Sequence, residues 1–314
     1  FEGNTVEFTD IENCSRCVRC YKKGTFIFNN NNFTNIKPRT DGHLGWVSSA
    51  IHYEPQDTNN DEEHFELSGN NFMKIEGTNQ GRCVYAVIKE ERITEVAKNF
   101  VSECPVGGFC IKFKFETAIY NLTMNGWEFR NNAGSDTHGG GTGIWIENPI
   151  HDKSTDPFTL IIKSCVFDNN HCTKKGGALQ FGNNGDEDKD KFQMRIEIQL
   201  TDCTFRNNVA EEGGGALYVS TTYPLTISNC HFINNRSPQN GGAIYIKTDI
   251  NDFSGTNQHM TIAEITGCDF TNNSGNYAHC IYIIDGSQTQ ILVRQCTFNN
   301  NYNPNLAAGS CILS

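Results

Sequence analysis

The chain has 314 residues and a formal net charge of −11, with 37% hydrophobic and 19% charged residues. That length suits two ordinary domains or one elongated repeat array, and the polar, weakly charged mixture suits a turn-rich β architecture. The acidic balance leaves no basic stripe to displace phosphate counterions, so nucleic acid and anionic membrane surfaces are excluded as partners, and no apolar run reaches the roughly 18 residues of a membrane span.

Read in chain order, an aromatic residue recurs at Phe8, Phe33, Phe72, Phe100, Phe129, Phe167, Phe205, Phe232, Phe270 and Phe298. Each is followed by a small residue: Cys17, Ala50, Cys83, Cys110, Gly143, Ala178, Ala216, Ala243, Cys280 and Cys311. Directly after it comes a branched aliphatic: Val18, Ile51, Val84, Ile111, Ile144, Leu179, Leu217, Ile244, Ile281 and Ile312. By subtraction the small residues lie 27 to 38 positions apart. A period in this range is the mark of a solenoid or propeller.

From residue 165 onward the repeat is explicit. CVFDNN at 165–170 becomes CTFRNN at 203–208, CHFINN at 230–235, CDFTNN at 268–273 and CTFNNN at 296–301. GGALQF at 176–181 becomes GGALYV at 214–219 and GGAIYI at 241–246. A third strand precedes each Cys-x-Phe, with alternating apolar pairs Leu160/Ile162, Ile198/Leu200, Leu225/Ile227, Ala263/Ile265 and Ile291/Val293. Alternation over so few residues is a strand signature. The apolar parity shifts by one before Cys-x-Phe, which demands a bend there.

Three short strands per coil, joined by bends, predict an all-β fold: a right-handed parallel β-helix of about ten coils. Residues 1–314 form one such domain, with degenerate coils over 1–118 and clear repeats over 119–314. A β-sandwich or propeller is the alternative. The Phe residues are expected to stack inside at the ~4.8 Å strand spacing. Gly-Gly supplies a corner with positive φ, and Asn-Asn tolerates the left-handed region and can form amide ladders. Ile93, Val96, Ala97 and Phe100 have helical spacing, so that coil is expected to carry a helical turn if it departs from the rest.

The paired F-x-x-N and G-G-A-[ILV] motifs resemble the repeats of chlamydial polymorphic membrane proteins, and of similar repeat proteins in some protists. F-x-x-N is matched at Phe129/Asn132, Phe167/Asn170, Phe205/Asn208, Phe232/Asn235, Phe270/Asn273 and Phe298/Asn301, and G-G-A at 176–178, 214–216 and 241–243. The resemblance implies a pectin-lyase-like β-helix at a cell surface, with adhesion as the usual role. These motifs are mostly scaffold, so the step to adhesion is one of fold analogy.

Candidate sites are few. Polysaccharide lyases and hydrolases share the fold, but no clustered Asp set stands beside His138-Gly139, and glycoside hydrolysis needs two carboxylates facing across a groove. The acidic run 186–191 is compensated by lysines and reads as a solvated loop, as do Asp57, Asp61, Glu62 and Glu63. No catalytic residue, metal or cofactor is therefore expected. Cys14, Cys17 and Cys20 have a spacing that suits zinc or disulfides, and no fourth zinc ligand is evident nearby.

Fourteen cysteines point to an oxidising, extracellular setting, and five N-x-S/T sequons at Asn13, Asn32, Asn121, Asn235 and Asn272 agree with it. Disulfides are expected for Cys83–Cys110 and Cys280–Cys311, which share a column in neighbouring rungs. Cys165, Cys203, Cys230, Cys268 and Cys296 are expected as packed free thiols. Tyr85, Trp145, Tyr218, Tyr245 and Tyr282 point outward and form either an exposed stripe for a glycan or protein, or a stabilising ladder.

The first rung begins by Phe8 and the last strand closes the sequence, leaving no residues for caps. Open coils expose backbone and core, so head-to-tail self-stacking into a filament is the leading expectation. A secreted adhesin is the second reading, and a polysaccharide lyase or hydrolase the third.

Overall fold

A computed structural model describes residues 5–7, 16–21, 25–36, 49–54, 64–76, 83–88, 95–104, 111–115, 121–134, 144–147, 158–181, 196–220, 224–248, 262–284, 290–303 and 310–313. Among these residues every paired strand is parallel to its neighbour. Each strand pairs mainly with its counterpart one repeat away. Successive turns of one chain stacked in this way make a parallel β-helix.

Three strand positions recur along the coil. The leading position forms a nine-stranded sheet from Thr25–Asn29 to Gln290–Arg294. The Phe position forms a ten-stranded sheet from Thr5–Glu7 to Thr297–Asn299. The third position is split into two five-stranded sheets. One runs from Arg16–Cys20 to Ile144–Glu147, the other from Leu179–Phe181 to Ser310–Leu313. A short three-stranded sheet, Ala133–Gly134, His171–Cys172 and Val209–Ala210, adds an edge after the Phe position.

Register follows the sequence pattern. In the third position Val18, Ile51, Val84, Ile111 and Ile144 align, as do Leu179, Leu217, Ile244, Ile281 and Ile312. In the leading position Leu160, Ile198, Leu225, Ala263 and Ile291 form one column. A one-residue slip would turn each column outward, so burial itself fixes the register.

The Phe column is interrupted once. Phe33 stacks on Phe72 at 5.1 Å, and rings from Phe129 to Phe298 stack at 4.8–5.2 Å with interplanar angles of 2–6°. Between them the place is held by Val101, paired with Phe72 and Phe129, and the expected Phe100 is displaced by one residue. Phe100 is only half-buried because the strand Phe100–Ser102 turns it to the outer face. At the start, Val6 pairs with Phe33, and Phe8 lies outside the described residues. The segment with helical spacing forms the strands Glu95–Ala97 and Phe100–Ser102, so no helical turn occurs over 95–102. Pairing with both neighbours overrides its local helix preference.

Bends recur at fixed places. Positive φ occurs just before the Phe strand, at residues such as Asn30, Gly69, Ser164, Asp202 and Asn229. It occurs again just after it, at Asn131, Asn169, Asn207, Asn234 and Asn272. The first of these bends is the parity shift seen in sequence. The second is the first Asn of each Asn-Asn, whose short amide suits the left-handed region.

Candidate functional site

Each bend turns the next residue inward and so creates a corner column. At the first corner the column reads Asn31, Asn70, Asn99, Trp127, Cys165, Cys203, Cys230 and Cys268, then the half-buried Cys296. Its alignment is fixed by backbone bonds from the following strand, such as Phe100 N–H to Asn70 O, Glu128 N–H to Asn99 O and Val166 N–H to Trp127 O. At the second corner the column reads Ile36, Ile75, Cys104, Asn132, Asn170, Asn208, Asn235 and Asn273, with Asn301 half-buried.

The asparagines form two ladders. At the first corner Asn31 donates both its backbone N–H and Nδ2 to Asn70 Oδ1, each at 3.0 Å. Asn70 does the same to Asn99 Oδ1, at 2.9 Å for each bond. At the second corner Asn170 N–H and Nδ2 both reach Asn208 Oδ1 at 3.0 Å. Asn208 repeats this toward Asn235, and Asn235 toward Asn273. Each second-corner Nδ2 also donates backward to a backbone carbonyl of the Phe strand, as Asn208 does to Phe167 O at 3.0 Å. One buried amide thus ties three rungs together with its polar atoms satisfied.

The first-corner thiols pack as small buried groups, as their spacing in the sequence implies. Cys203 Sγ donates to Ile162 O at 3.4 Å and Thr201 O at 3.3 Å, and receives no bond from a disulfide partner. Backbone N–H groups of Cys203 and Cys230 point at the sulfur of the next rung, each at 3.4 Å. Hydrogen bonds with Cys203, then burial, hold the Cys165 and Cys230 thiols above their ordinary value, and burial does the same to Cys280. Buried from solvent, Cys165, Cys230 and Cys280 act as packing groups.

The expected Cys280–Cys311 pair is not bonded in this structure, and the expected Cys83–Cys110 pair involves a residue outside the described ones. Among the described residues no two cysteines are at bonding distance, and Cys280 and Cys311 keep separate thiols. The reason is geometric: residues sharing a column in a parallel stack have parallel Cα–Cβ vectors about 4.8 Å apart, longer than the ~3.8 Å Cβ spacing of a disulfide. Cys110 lies outside the described residues, and Cys83 sits instead against Cys104, with sulfurs 3.7 Å apart.

The tyrosines do not form an open stripe. Tyr85, Tyr218 and Tyr245 are buried and Tyr282 is half-buried, while the Trp145 side chain lies outside the described residues. Tyr218, Tyr245 and Tyr282 pack edge to face at 5.1 and 5.2 Å. The corner before the strand covers them. A Cβ on Gly213 would meet the Tyr245 ring at 2.4 Å, and Lys175 Nζ lies 5.0 Å above the Tyr218 ring. Burial, then the nearby Tyr282, pushes the Tyr245 phenol up. In the earlier coils the same column holds His52, which stacks on Tyr85 at 4.9 Å and reaches Glu54 Oε2 at 3.0 Å. Among the described residues the exposed aromatics are Tyr277 and Tyr302, 60% and 62% accessible.

The sequons divide by location. Asn121 and Asn272 are exposed, Asn32 is half-buried and accepts from Asn71 Nδ2 at 2.8 Å, and Asn13 lies outside the described residues. Asn235 is fully buried in the second ladder and cannot carry a glycan in the folded chain. Cys14, the acidic run 186–191, residues 57–63 and His138 also lie outside the described residues.

Outside the second corner runs an ion network. Arg130 bonds Glu128 at 2.8 Å and Asp168 at 2.9 Å, and Arg206 bonds Asp168 at 2.8 Å. Burial acts to raise the Asp168 carboxyl, but hydrogen bonds from Arg206 and Asn207, with the charges of both arginines, hold it below its ordinary value. Among the described residues no group of three or more His, Cys, Asp or Glu side chains is placed to hold a metal, and no helix is long and apolar enough to cross a membrane.

The sequence signs of the two ladders are unequal. Asn-Asn after Phe is visible in six consecutive repeats. Asn31, Asn70 and Asn99, each two residues before the Phe-column residue, share only N-x-[FV], a pattern too short to stand out in so Asn-rich a chain.

The fold and its columns define a class: a parallel β-helix held by stacked aromatic, thiol and amide ladders. Three of its coils, residues 164–182, 202–220 and 229–247, match the family model of the Chlamydia polymorphic membrane protein (Chlamydia_PMP) repeat. Each matched segment begins just before the Cys-x-Phe strand and runs through the third strand, so it spans both the second corner and the Gly-Gly turn. No curated protein and no solved structure matches the chain.

Proposed function

We propose that this chain is a non-enzymatic structural rod of a cell surface, lengthened by further coils stacking on its open edge, with a second copy of the chain as the stacking partner. The observation that carries this reading is the last described rung. Ile291, Val293 and Phe298 continue the core columns, yet they are only half-buried, and Ile312 and Leu313 are exposed. Among the described residues the strands Gln290–Arg294, Thr297–Asn299 and Ser310–Leu313 are the outermost members of their sheets. Such an edge is a template for strand addition. The repeat match supports a surface location through the family's name.

A charge placed on that edge tests the reading. Val293→Lys puts an ammonium in the leading column without touching the ladders. Light scattering is expected to show concentration-dependent assembly for the wild-type chain and its loss in the variant. Stable wild-type monomers at high concentration contradict stacking.

A second reading, a surface adhesin, is favoured by exposed Tyr277 and Tyr302. Aromatic rings with a polar tip suit glycan or protein contact. Binding on a glycan array that falls with Tyr277→Ser and Tyr302→Ser supports it. Turnover of acidic polysaccharides by the purified chain would instead favour a lyase or hydrolase.

A further inference from the structure

Cys83 and Cys104 differ from the other thiols in how they meet. The corner cysteines stack along one column and point the same way. Cys83 comes from the residue before the strand Val84–Ile88, and Cys104 from the second corner after Phe100–Ser102. They arrive from two sides of the coil, and their sulfurs face each other at 3.7 Å in the core, both fully buried.

We propose that Cys83 and Cys104 are a disulfide site, closed when the chain matures in an oxidising compartment. The 3.7 Å approach is van der Waals contact between sulfurs, and a bond requires about 2.05 Å. Rotation of the two side chains supplies the difference, because the sulfurs already face each other from two sides of the coil. The reaction is exchange with a small-molecule disulfide. One cysteine thiolate attacks it and releases a thiol, and the second thiolate displaces the other thiol from the mixed disulfide. Two S–H bonds are lost, one S–S bond forms, and the acceptor takes up two electrons and two protons.

The position gives the bond a structural role. Cys104 N–H caps the second-corner ladder by donating to Asn132 Oδ1 at 3.1 Å. Cys83 O accepts the N–H of Ile51 at 2.9 Å in the third position. A bond between them clamps the rung at which the amide ladder starts to the sheet of the earlier coils. It closes a loop of 21 positions, which restricts the unfolded chain.

The full chain, purified with thiols reduced, is titrated with oxidised glutathione in sub-denaturing urea so that the buried pair is sampled by local opening. The products are alkylated after denaturation and mapped by mass spectrometry. A Cys83–Cys104 linked peptide is expected, two hydrogens lighter than its reduced parts. The oxidised wild type should also lose several degrees of thermal midpoint when reductant is added. The Cys83→Ala/Cys104→Ala double variant should show no such change. Alkylation of both residues at every glutathione ratio overturns the proposal, as does linkage of Cys83 to Cys110.

Discussion

Cys104 donates its backbone N–H to Asn132 Oδ1 at 3.1 Å, and with that bond the amide ladder begins at the second corner. One bend earlier in the same stretch, the first-corner ladder has just ended: Asn99 is followed in its column by Trp127, which donates Nε1–H to Val96 O at 2.9 Å. The two corners exchange chemistry across these coils. Before them the first corner is amide and the second apolar, through Ile36, Ile75 and Cys104; after them the first is thiol and the second amide. Nearly every rung therefore holds one buried amide, facing an apolar corner. Trp127, stacked on Phe129 at 5.6 Å, fills the changeover.

The ladder residues are expected to dominate stability. Asn208→Ala leaves the Asn170 backbone N–H without its acceptor, takes one of two acceptors from Asn170 Nδ2, and removes a side-chain donor from Asn235 Oδ1 and Phe167 O. Each buried unsatisfied group costs about 1–3 kcal/mol, so a loss of several kcal/mol is expected in urea unfolding. Asn207→Ala, on the exposed positive-φ residue beside it, should cost only about 1–2 kcal/mol.

Side-chain amide exchange gives an independent reading. The Nδ2 protons of Asn170, Asn208 and Asn235 should exchange far more slowly in heavy water than those of exposed Asn169 and Asn234. Equal rates for the two sets, followed by NMR, would dissolve the ladder.

Gly215 and Gly126 separate two uses of glycine. A Cβ on Gly215 would lie 2.1 Å from the backbone oxygen of Gly242 in the next rung, so Gly215→Ala must push coils apart. At Gly126 only Lys98 Cγ comes near, at 3.5 Å, and φ is +66°. Gly126→Asn should leave the thermal midpoint almost unchanged, whereas Gly215→Ala should lower it sharply or prevent folding.

Asp168 sets an acid limit on the outer ion network. Its folded carboxyl titrates below the unfolded value of about 3.9, so its stabilisation is present above that pH and is lost as pH falls through the folded value. Its arginine partners are substantially exposed, so the effect is about 1 kcal/mol or less. Asp168→Asn should flatten the stability profile below pH ~4 by that amount. An unchanged acid slope would show the network contributes nothing.

Glycan placement follows burial. Expressed in a glycosylating secretory host, soluble folded chain should carry glycan at Asn121 or Asn272 and none at Asn235. Peptide mapping that finds Asn235 occupied in folded material would contradict the second ladder.

Much of this was legible in the residues because a solenoid repeats its solution. The aliphatic after each small residue aligned in all ten third-position strands, and Cys-x-Phe-x-Asn-Asn foretold a thiol, a ring, a left-handed bend and an amide in turn. What failed were positions where one residue of offset decides orientation. Phe100 lost the core to Val101 because an aromatic alone does not report strand parity. The Tyr column stayed open between an exposed stripe and a stabilising ladder because the covering corner at Gly213 comes from a different rung. The shared column of Cys280 and Cys311 gives proximity without the facing geometry that Cys83 and Cys104 have.

Cryo-electron microscopy of concentrated native protein tests stacking most directly. The account predicts rods longer than the ~45 Å of ten coils, with a continuous axial repeat of ~4.8 Å running through the junction between copies. Uniform particles of single-copy length at every concentration would contradict it.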